Sequence, residues 1–284
     1  MKRILALFLV LAGCQAELPL ERYSEFEVHT TQGGDYGVIQ TLSNLSMSRK
    51  ENEPMEGIHR GQRLFNTSAS QLSITIYADK RGLDACQVEL FKDETFRQYL
   101  RKIISAATVW AERTTAANHR MNIEIILTQR RSYEYRSTSA YLNTPTLSLA
   151  FSLGSSCTLS SIKARIIDAF AQTMHEIVHA NYFLNAKNMD ALGEEKAAYR
   201  VQYCSALSMD NNVHIPISPY ISSAASVQEL TEKILHDTNG SESVTQGILA
   251  NAIILFELSS KAGSGPLTGA ALSGPLGEYC STSL

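Results

Sequence analysis

The sequence has no excess of positive charge, no cysteine pair at metal-binding spacing and no internal repeat. Lysine and arginine together number 25 against 28 acidic residues, so the chain lacks the basic footprint that nucleic acid or an anionic membrane surface attracts. We therefore expect no nucleic-acid partner. The absence of a CxxC motif argues against a cysteine zinc site or a thioredoxin-like redox motif. The apolar stretch at 250–258 is too short for a membrane span.

The chain has the composition of an ordinary globular protein. Of its 284 residues, 44% are hydrophobic and 19% are charged, which is enough to bury a core without help from metals or disulfides. A glycine-rich stretch at 263–277 follows no predicted strand and lacks a Gly-Lys-Ser/Thr sequence. It therefore indicates a flexible tail and not a phosphate-binding loop.

The first fourteen residues have the pattern of an export signal. Lys2 and Arg3 supply a positive start, residues 4–11 are apolar but too short to span a bilayer, and Leu-Ala-Gly-Cys follows directly. This order of small residues ending in cysteine resembles the lipobox of bacterial lipoproteins. The resemblance implies that a signal peptide at 1–13 is removed and that Cys14 becomes the lipidated N-terminus.

Lipidation at Cys14 predicts where the protein resides. In enteric lipoproteins an aspartate after the lipidated cysteine favours the inner membrane, so Gln15 at that place indicates sorting to the outer membrane, facing the periplasm. The expected localisation is the bacterial cell envelope. Acyl chains on Cys14 would be the membrane anchor.

Four further cysteines predict disulfide bonds, because disulfides persist in an exported protein. They are Cys86, Cys157, Cys204 and Cys280. Four cysteines allow three pairings. We favour a bridge between Cys204 and Cys280, which would join the C-terminal tail to a helix.

Hydrophobic periodicity predicts strands followed by helices. Segments of alternating apolar residues predict strands at 71–78, 121–127, 133–142 and 146–153. Segments with helical spacing predict helices at 93–116, 160–184, 190–209, 226–236 and 242–261. Three strands in succession favour an antiparallel arrangement. Strands and one helix first, with helices afterwards, indicate an α+β fold in which the first helix backs a mixed sheet.

Changes in composition divide the expected mature chain into three parts. Residues 14–70 are polar and interrupted by glycines, and they indicate a lipidated tether that leads into irregular or short extended structure. Residues 71–262 contain the predicted strands and helices and form the expected domain. Residues 263–284 form the expected Gly/Ser-rich C-terminal tail.

An HExxH motif lies within the predicted helix at 160–184. Histidines four residues apart project from one face of a helix, so His175 and His179 can share a metal ion, while Glu176 points toward a water on that metal. In a chain of this composition, chance would produce on the order of 0.01 such motifs. The motif therefore predicts a metal site within a helix.

A catalytic zinc site needs a third protein ligand, which the next predicted helix can supply. The sequence Gly-Glu-Glu-Lys-Ala-Ala-Tyr occupies 193–199. Together with the HExxH motif, it resembles the gluzincin group of zinc metallopeptidases, in which a glutamate on a second helix completes the site. The E-x-x-A-Y form of this resemblance implies Glu195 as the ligand. Helical phase leaves Glu194 as the rival, and Tyr199 replaces the aspartate that supports a zinc histidine in thermolysin-like members.

The resemblance implies a zincin-like domain that hydrolyses peptide bonds with one zinc ion held by His175, His179 and Glu195. A zinc-bound water would lose its proton to Glu176 as general base and attack a carbonyl of a peptide or protein substrate. The strand at 146–153 would align an extended substrate at the rim of the cleft. The alternative function is a non-catalytic envelope binding or assembly factor that keeps the scaffold with a structural metal.

A further hydrogen-bond donor is expected to stabilise the oxyanion that forms in amide hydrolysis. His214, Tyr220 and His236 lie downstream of the motif and are the candidates. No motif surrounds any of them, so the sequence does not choose among the three.

Overall fold

The computed structural model describes residues 27–30, 38–40, 60–69, 72–114, 121–129, 146–184, 190–237, 242–263 and 267–281. The predicted signal peptide, Cys14 and the predicted strand at 133–142 lie outside these residues. Helices and a mixed sheet occur together, which confirms the α+β class. No helix in the described ranges is long and apolar enough to cross a membrane.

The described strands and helices are numbered in the order in which they occur along the chain. The described strands are β1 (Glu27–Thr30), β2 (Val38–Gln40), β3 (Arg60–Ala69), β4 (Leu72–Asp79), β5 (Met121–Thr128), β6 (Thr146–Ser152), β7 (Val213–Ile215) and β8 (Leu267–Thr268). The described helices are α1 (Ala85–Leu90), α2 (Glu94–Thr114), α3 (Leu159–Leu184), α4 (Ala191–Met209), α5 (Pro219–Ser222), α6 (Val227–Asp237), α7 (Glu242–Ala262) and α8 (Pro275–Ser281). The five helices predicted from periodicity agree with α2, α3, α4, α6 and α7, because long apolar stripes reveal the helical period.

Four strands form the central sheet in the order β3-β4-β5-β6. β3 is antiparallel to β4, whereas β4, β5 and β6 are mutually parallel. The sheet is mixed, as predicted, but the expected antiparallel arrangement of successive strands is wrong. Apolar residues alternate in both arrangements, and a long connection such as the one containing α2 returns the chain to the same end of the sheet.

One face of the central sheet belongs to the main hydrophobic core, together with α2 and α3. Ile74 of β4, Ile123 of β5 and Leu100 of α2 are fully buried members of this core. Burying a large apolar side chain contributes roughly 1.5–3 kcal/mol, so the sheet and its helices stabilise one another. At the other end of α2, Trp110 donates a hydrogen bond from Nε1 to Ser208 Oγ of α4 at 2.8 Å. This hydrogen bond connects α2, which packs on the central sheet, to α4.

A second sheet has the order β2-β1-β7-β8, and each of its strand pairs is antiparallel. It joins β1 to β7, the strand that follows α4. The segment 14–70, expected to be a tether with irregular or short extended structure, therefore contributes strands to both sheets. Leu64 and Phe65 of β3 are buried in the core. β1 pairs with β7, which lies far away in the sequence, and a local pattern does not reveal such a partner.

The predicted flexible tail is, at 267–281, a folded segment. It contains β8, a 3₁₀ helix and α8, and both Leu276 and Cys280 are buried. A Cβ atom on Gly277 would lie 1.8 Å from the carbonyl oxygen of Leu272, so only glycine allows this approach of the backbone. Glycine here serves close packing, which explains why the prediction of flexibility was wrong.

Two disulfides pair the four described cysteines. Cys86 is bonded to Cys157 and Cys204 to Cys280, with Cα–Cα distances of 5.9 and 5.6 Å. The second bridge confirms the favoured pairing and connects α8 to α4. The first connects α1 to the loop before α3, where Gln87 also donates to two backbone carbonyls.

Replacing Cys204 and Cys280 by alanine is expected to lower the free energy of unfolding by about 4 kcal/mol, because the bridge spans 76 residues. Urea denaturation of the variant and the parent measures this loss. The Cys86→Ala/Cys157→Ala variant, whose bridge has a similar span of 71 residues, is the comparison and should lose a similar amount if loop closure is the cause. An unchanged urea midpoint for the Cys204/Cys280 variant would contradict the prediction.

Asp168 is a buried carboxyl on α3. Burial raises its pKa to about 7, although a hydrogen bond from Gln172 and the positive charge of Arg165 oppose the shift. The Gln172 Nε2 atom lies 2.8 Å from Asp168 Oδ1. The folded chain therefore holds this proton up to about pH 7, whereas the unfolded chain releases it near its ordinary value of 3.8. Between these values the folded state binds more protons, so rising pH reduces stability.

We expect Asp168→Asn to become more stable relative to the parent as pH rises from about 5 to 7, by roughly 1.4 kcal/mol per pH unit. The asparagine is neutral at every pH and keeps an oxygen that accepts from Gln172. Urea denaturation at several pH values measures the difference. Glu278→Gln, which removes an exposed acid from α8, serves as the control. A difference in stability that stays constant with pH would count against this role of Asp168.

Candidate metal centre

The two motif histidines lie on α3, which continues through the motif without a break. They are four positions apart on the helix, so both rings project from the same face. Their Nε2 atoms are 3.1 Å apart, and the ring centroids are 4.9 Å apart. His175 is only 8% exposed. The helix therefore presents two imidazole nitrogens to one point in a largely dehydrated region.

Glu195 completes a group of three possible ligands. It lies in the first turns of α4, where Asp190 caps the helix by accepting from the Gly193 amide at 2.6 Å. One carboxylate oxygen of Glu195 is 3.6 Å from His175 Nε2, and the other is 3.6 Å from His179 Nε2. The ligand atoms of these three residues all lie within 4.8 Å of one another.

Glu194 occupies a different position around the same histidine. Its Oε1 atom is 2.6 Å from Nδ1 of His179, the ring nitrogen that faces away from the shared point. The two glutamates that were rivals from the sequence are therefore distinguished by geometry. Glu195 belongs to the group of possible ligands, and Glu194 is hydrogen-bonded to the outer nitrogen of His179.

Tyr199, one turn beyond Glu195 on α4, contacts the other histidine. Its ring centroid is 4.6 Å from that of His175 at an interplanar angle of 70°, an edge-on contact. Tyr199 is buried and stacks with Tyr203. An aromatic ring thus packs against His175 from the position where the resemblance places an aspartate.

Glu176 is the acidic residue of the motif that does not belong to the ligand group. It follows His175 on α3 and is therefore rotated by about 100° around the helix from that histidine. Its side chain is buried, with the residue only 3% exposed. A buried carboxylate next to a metal-ligand group is suited to accept and return a proton.

The donor separations fit a zinc ion. Zinc bonded to nitrogen and carboxylate oxygen at about 2.0–2.1 Å with tetrahedral angles has donors about 3.3–3.4 Å apart. The observed separations are 3.1 Å between the two nitrogens and 3.6 Å from each nitrogen to a carboxylate oxygen. Two imidazoles and one carboxylate are also a donor set that zinc accepts, leaving one coordination position open.

The other predicted site residues lie on separate elements. His214 is on β7, Tyr220 in α5 and His236 in the last turn of α6, and none of them belongs to the ligand group. The predicted substrate-aligning strand corresponds to β6, which is the last strand in the order of the central sheet within the described ranges.

Sequence reasoning missed the roles of Glu194 and Tyr199 around the histidines. It treated Glu194 only as a rival ligand or a helix-cap carboxylate. The signal that was available is that two consecutive acidic residues begin α4, while an imidazole has two nitrogens that need partners. Which carboxylate meets which nitrogen depends on how α3 and α4 pack, and periodicity does not contain that information.

Comparison with known proteins adds no relative. No protein-family model, curated protein or solved structure matches the chain. Function is therefore inferred from the atoms of the site and their surroundings.

We expect the parent chain to bind about one zinc ion, and His175→Ala and Glu195→Ala each to weaken binding strongly, because two donors hold zinc poorly. Metal content after dialysis against a weak chelator is the measurement. His236→Ala, which removes a histidine outside the ligand group, should keep the zinc of the parent. Equal zinc content in all four proteins would show that zinc is held elsewhere.

Proposed function

We propose that the protein is a zinc-dependent metallopeptidase of the bacterial cell envelope, with a zincin-like domain of the gluzincin type. The observation that carries this proposal is the approach of His175, His179 and Glu195 from two helices to separations of 3.1–3.6 Å. The HExxH motif and its helical setting support the same reading.

The roles follow from the chemistry of the side chains. His175, His179 and Glu195 would hold the ion, and zinc supplies a Lewis acid that acidifies water and polarises a carbonyl. Glu176 takes a proton from the attacking water and returns it to the departing nitrogen, so that the peptide bond is replaced by a carboxylic acid and an amine. Burial of Glu176 keeps this proton transfer away from bulk solvent.

Within the described ranges the ligand group has three members, which favours a catalytic site over a structural one. Structural zinc sites are closed by four protein ligands, whereas catalytic sites have three and an open position. Glu194 is adjacent to Glu195 in the sequence, and it is hydrogen-bonded to His179 Nδ1 at 2.6 Å. It is therefore directed to the outer nitrogen and does not act as a fourth ligand.

The proposed location and substrate fit the remaining features. Both described disulfides are compatible with an oxidising compartment such as the periplasm, to which a lipid anchor at Cys14 would attach the protein. We propose a peptide or protein as substrate, because β6, the last strand of the central sheet within the described ranges, offers backbone groups that can pair with an extended chain.

Glu176→Gln is expected to retain about one zinc ion but to lose activity by about 10²- to 10⁴-fold, because glutamine cannot accept the proton. Cleavage of a randomised peptide mixture, followed by mass spectrometry, measures activity alongside zinc content. Glu278→Gln, which changes an exposed glutamate of α8, is the matched control and should behave as the parent.

Two results would contradict the proposal. A Glu176→Gln protein as active as the parent would exclude Glu176 as the general base. A parent that binds zinc and cleaves none of the peptides would favour the non-catalytic envelope binding or assembly factor.

A further inference from the structure

We infer that Glu194 is a positioning residue that holds the His179 ring in the one tautomer able to bind the metal ion. The inference rests on the proposed zinc site and assigns a role to a residue outside the ligand set. Its basis is the 2.6 Å separation between Glu194 Oε1 and His179 Nδ1.

The first turns of α4 contact both nitrogens of a single imidazole. Glu194 meets Nδ1 of His179 at 2.6 Å, and Glu195, the next residue, lies 3.6 Å from Nε2. Asp190 caps the helix at its start, so the direction of both carboxylates is fixed by the same helical end. The two consecutive glutamates therefore approach the His179 ring at its two different nitrogens.

The tautomer follows from the polarity of this hydrogen bond. A carboxylate only accepts, so Nδ1 of His179 must carry the hydrogen when it meets Glu194. A neutral imidazole has one N–H group, and Nε2 is then left with a free lone pair. That lone pair points toward Nε2 of His175 at 3.1 Å and toward the Glu195 carboxylate.

The surroundings make this hydrogen bond effective. The side chains of His179 and Glu194 are 13% and 23% exposed, so water competes little for either group. A hydrogen bond to a carboxylate in such a place is short and strong compared with a neutral one. Orienting hydrogen bonds of this kind change the metal affinity of a site by about 10- to 100-fold.

Zinc affinity of full-length variants tests the inference. Competition with a fluorescent zinc chelator is expected to show about 10- to 100-fold weaker binding for Glu194→Ala than for the parent. Glu194→Gln should be intermediate, because its amide oxygen still accepts from Nδ1–H without a charge. Glu278→Gln removes one negative charge from an exposed position on α8, and it should remain within about twofold of the parent.

The tautomer of His179 in chelator-treated, metal-free protein provides a second readout. Nitrogen-15 NMR of the parent should show the hydrogen on Nδ1, with Glu194→Gln keeping this preference and Glu194→Ala losing it. A parent with the hydrogen on Nε2, or a Glu194→Ala protein with parental zinc affinity, would overturn the inference. A parent that binds no zinc but shows Nδ1–H would instead refute the proposed function while leaving the orienting contact in place.

Discussion

Helices α3 and α4 lie side by side in opposite directions, and the candidate centre depends on this contact. The histidines near the end of α3 meet the glutamates at the start of α4, while Lys163 near the start of α3 and Asp210 after α4 line a common cavity. Each helix alone carries an incomplete ligand set. A small shift along the helix axis, where each residue advances about 1.5 Å, would separate donors that must lie within one coordination sphere.

The rest of the fold restrains this helix pair. The central sheet and α2 pack against α3 in the main core, and Trp110 of α2 is hydrogen-bonded to Ser208 of α4. The bridge between Cys204 and Cys280 attaches α8 to α4 from another side. Side chains close to the ligands, Tyr199 and Glu194, then restrict the two imidazoles individually. Order in the centre thus comes from contacts distributed over the whole described domain.

Most of the features that sequence reasoning predicted are local; the bridge between Cys204 and Cys280 is an exception, because an even number of cysteines allows only a few pairings. The helices and the HExxH motif depend on spacing within one segment, and the long helices were predicted to within two residues at each end. Glu195 came from the resemblance to a family. The parallel order of β4, β5 and β6, the pairing of β1 with β7 and the contact of Glu194 with His179 require knowledge of which segments meet in space. A periodic pattern records which face is buried, but not the neighbour that buries it.

If Cys14 carries lipid as proposed, the pairing of β1 with β7 would limit how far the folded part of the chain lies from a membrane. β1 begins at Glu27, so with Cys14 lipidated as proposed only residues 15–26 separate the lipid from the folded body. A fully extended chain of that length would reach at most about 40 Å, at roughly 3.3–3.6 Å per residue. The proposed enzyme would therefore act on substrates close to the bilayer surface. Substrates farther from the membrane than this linker reaches would not be accessible to it.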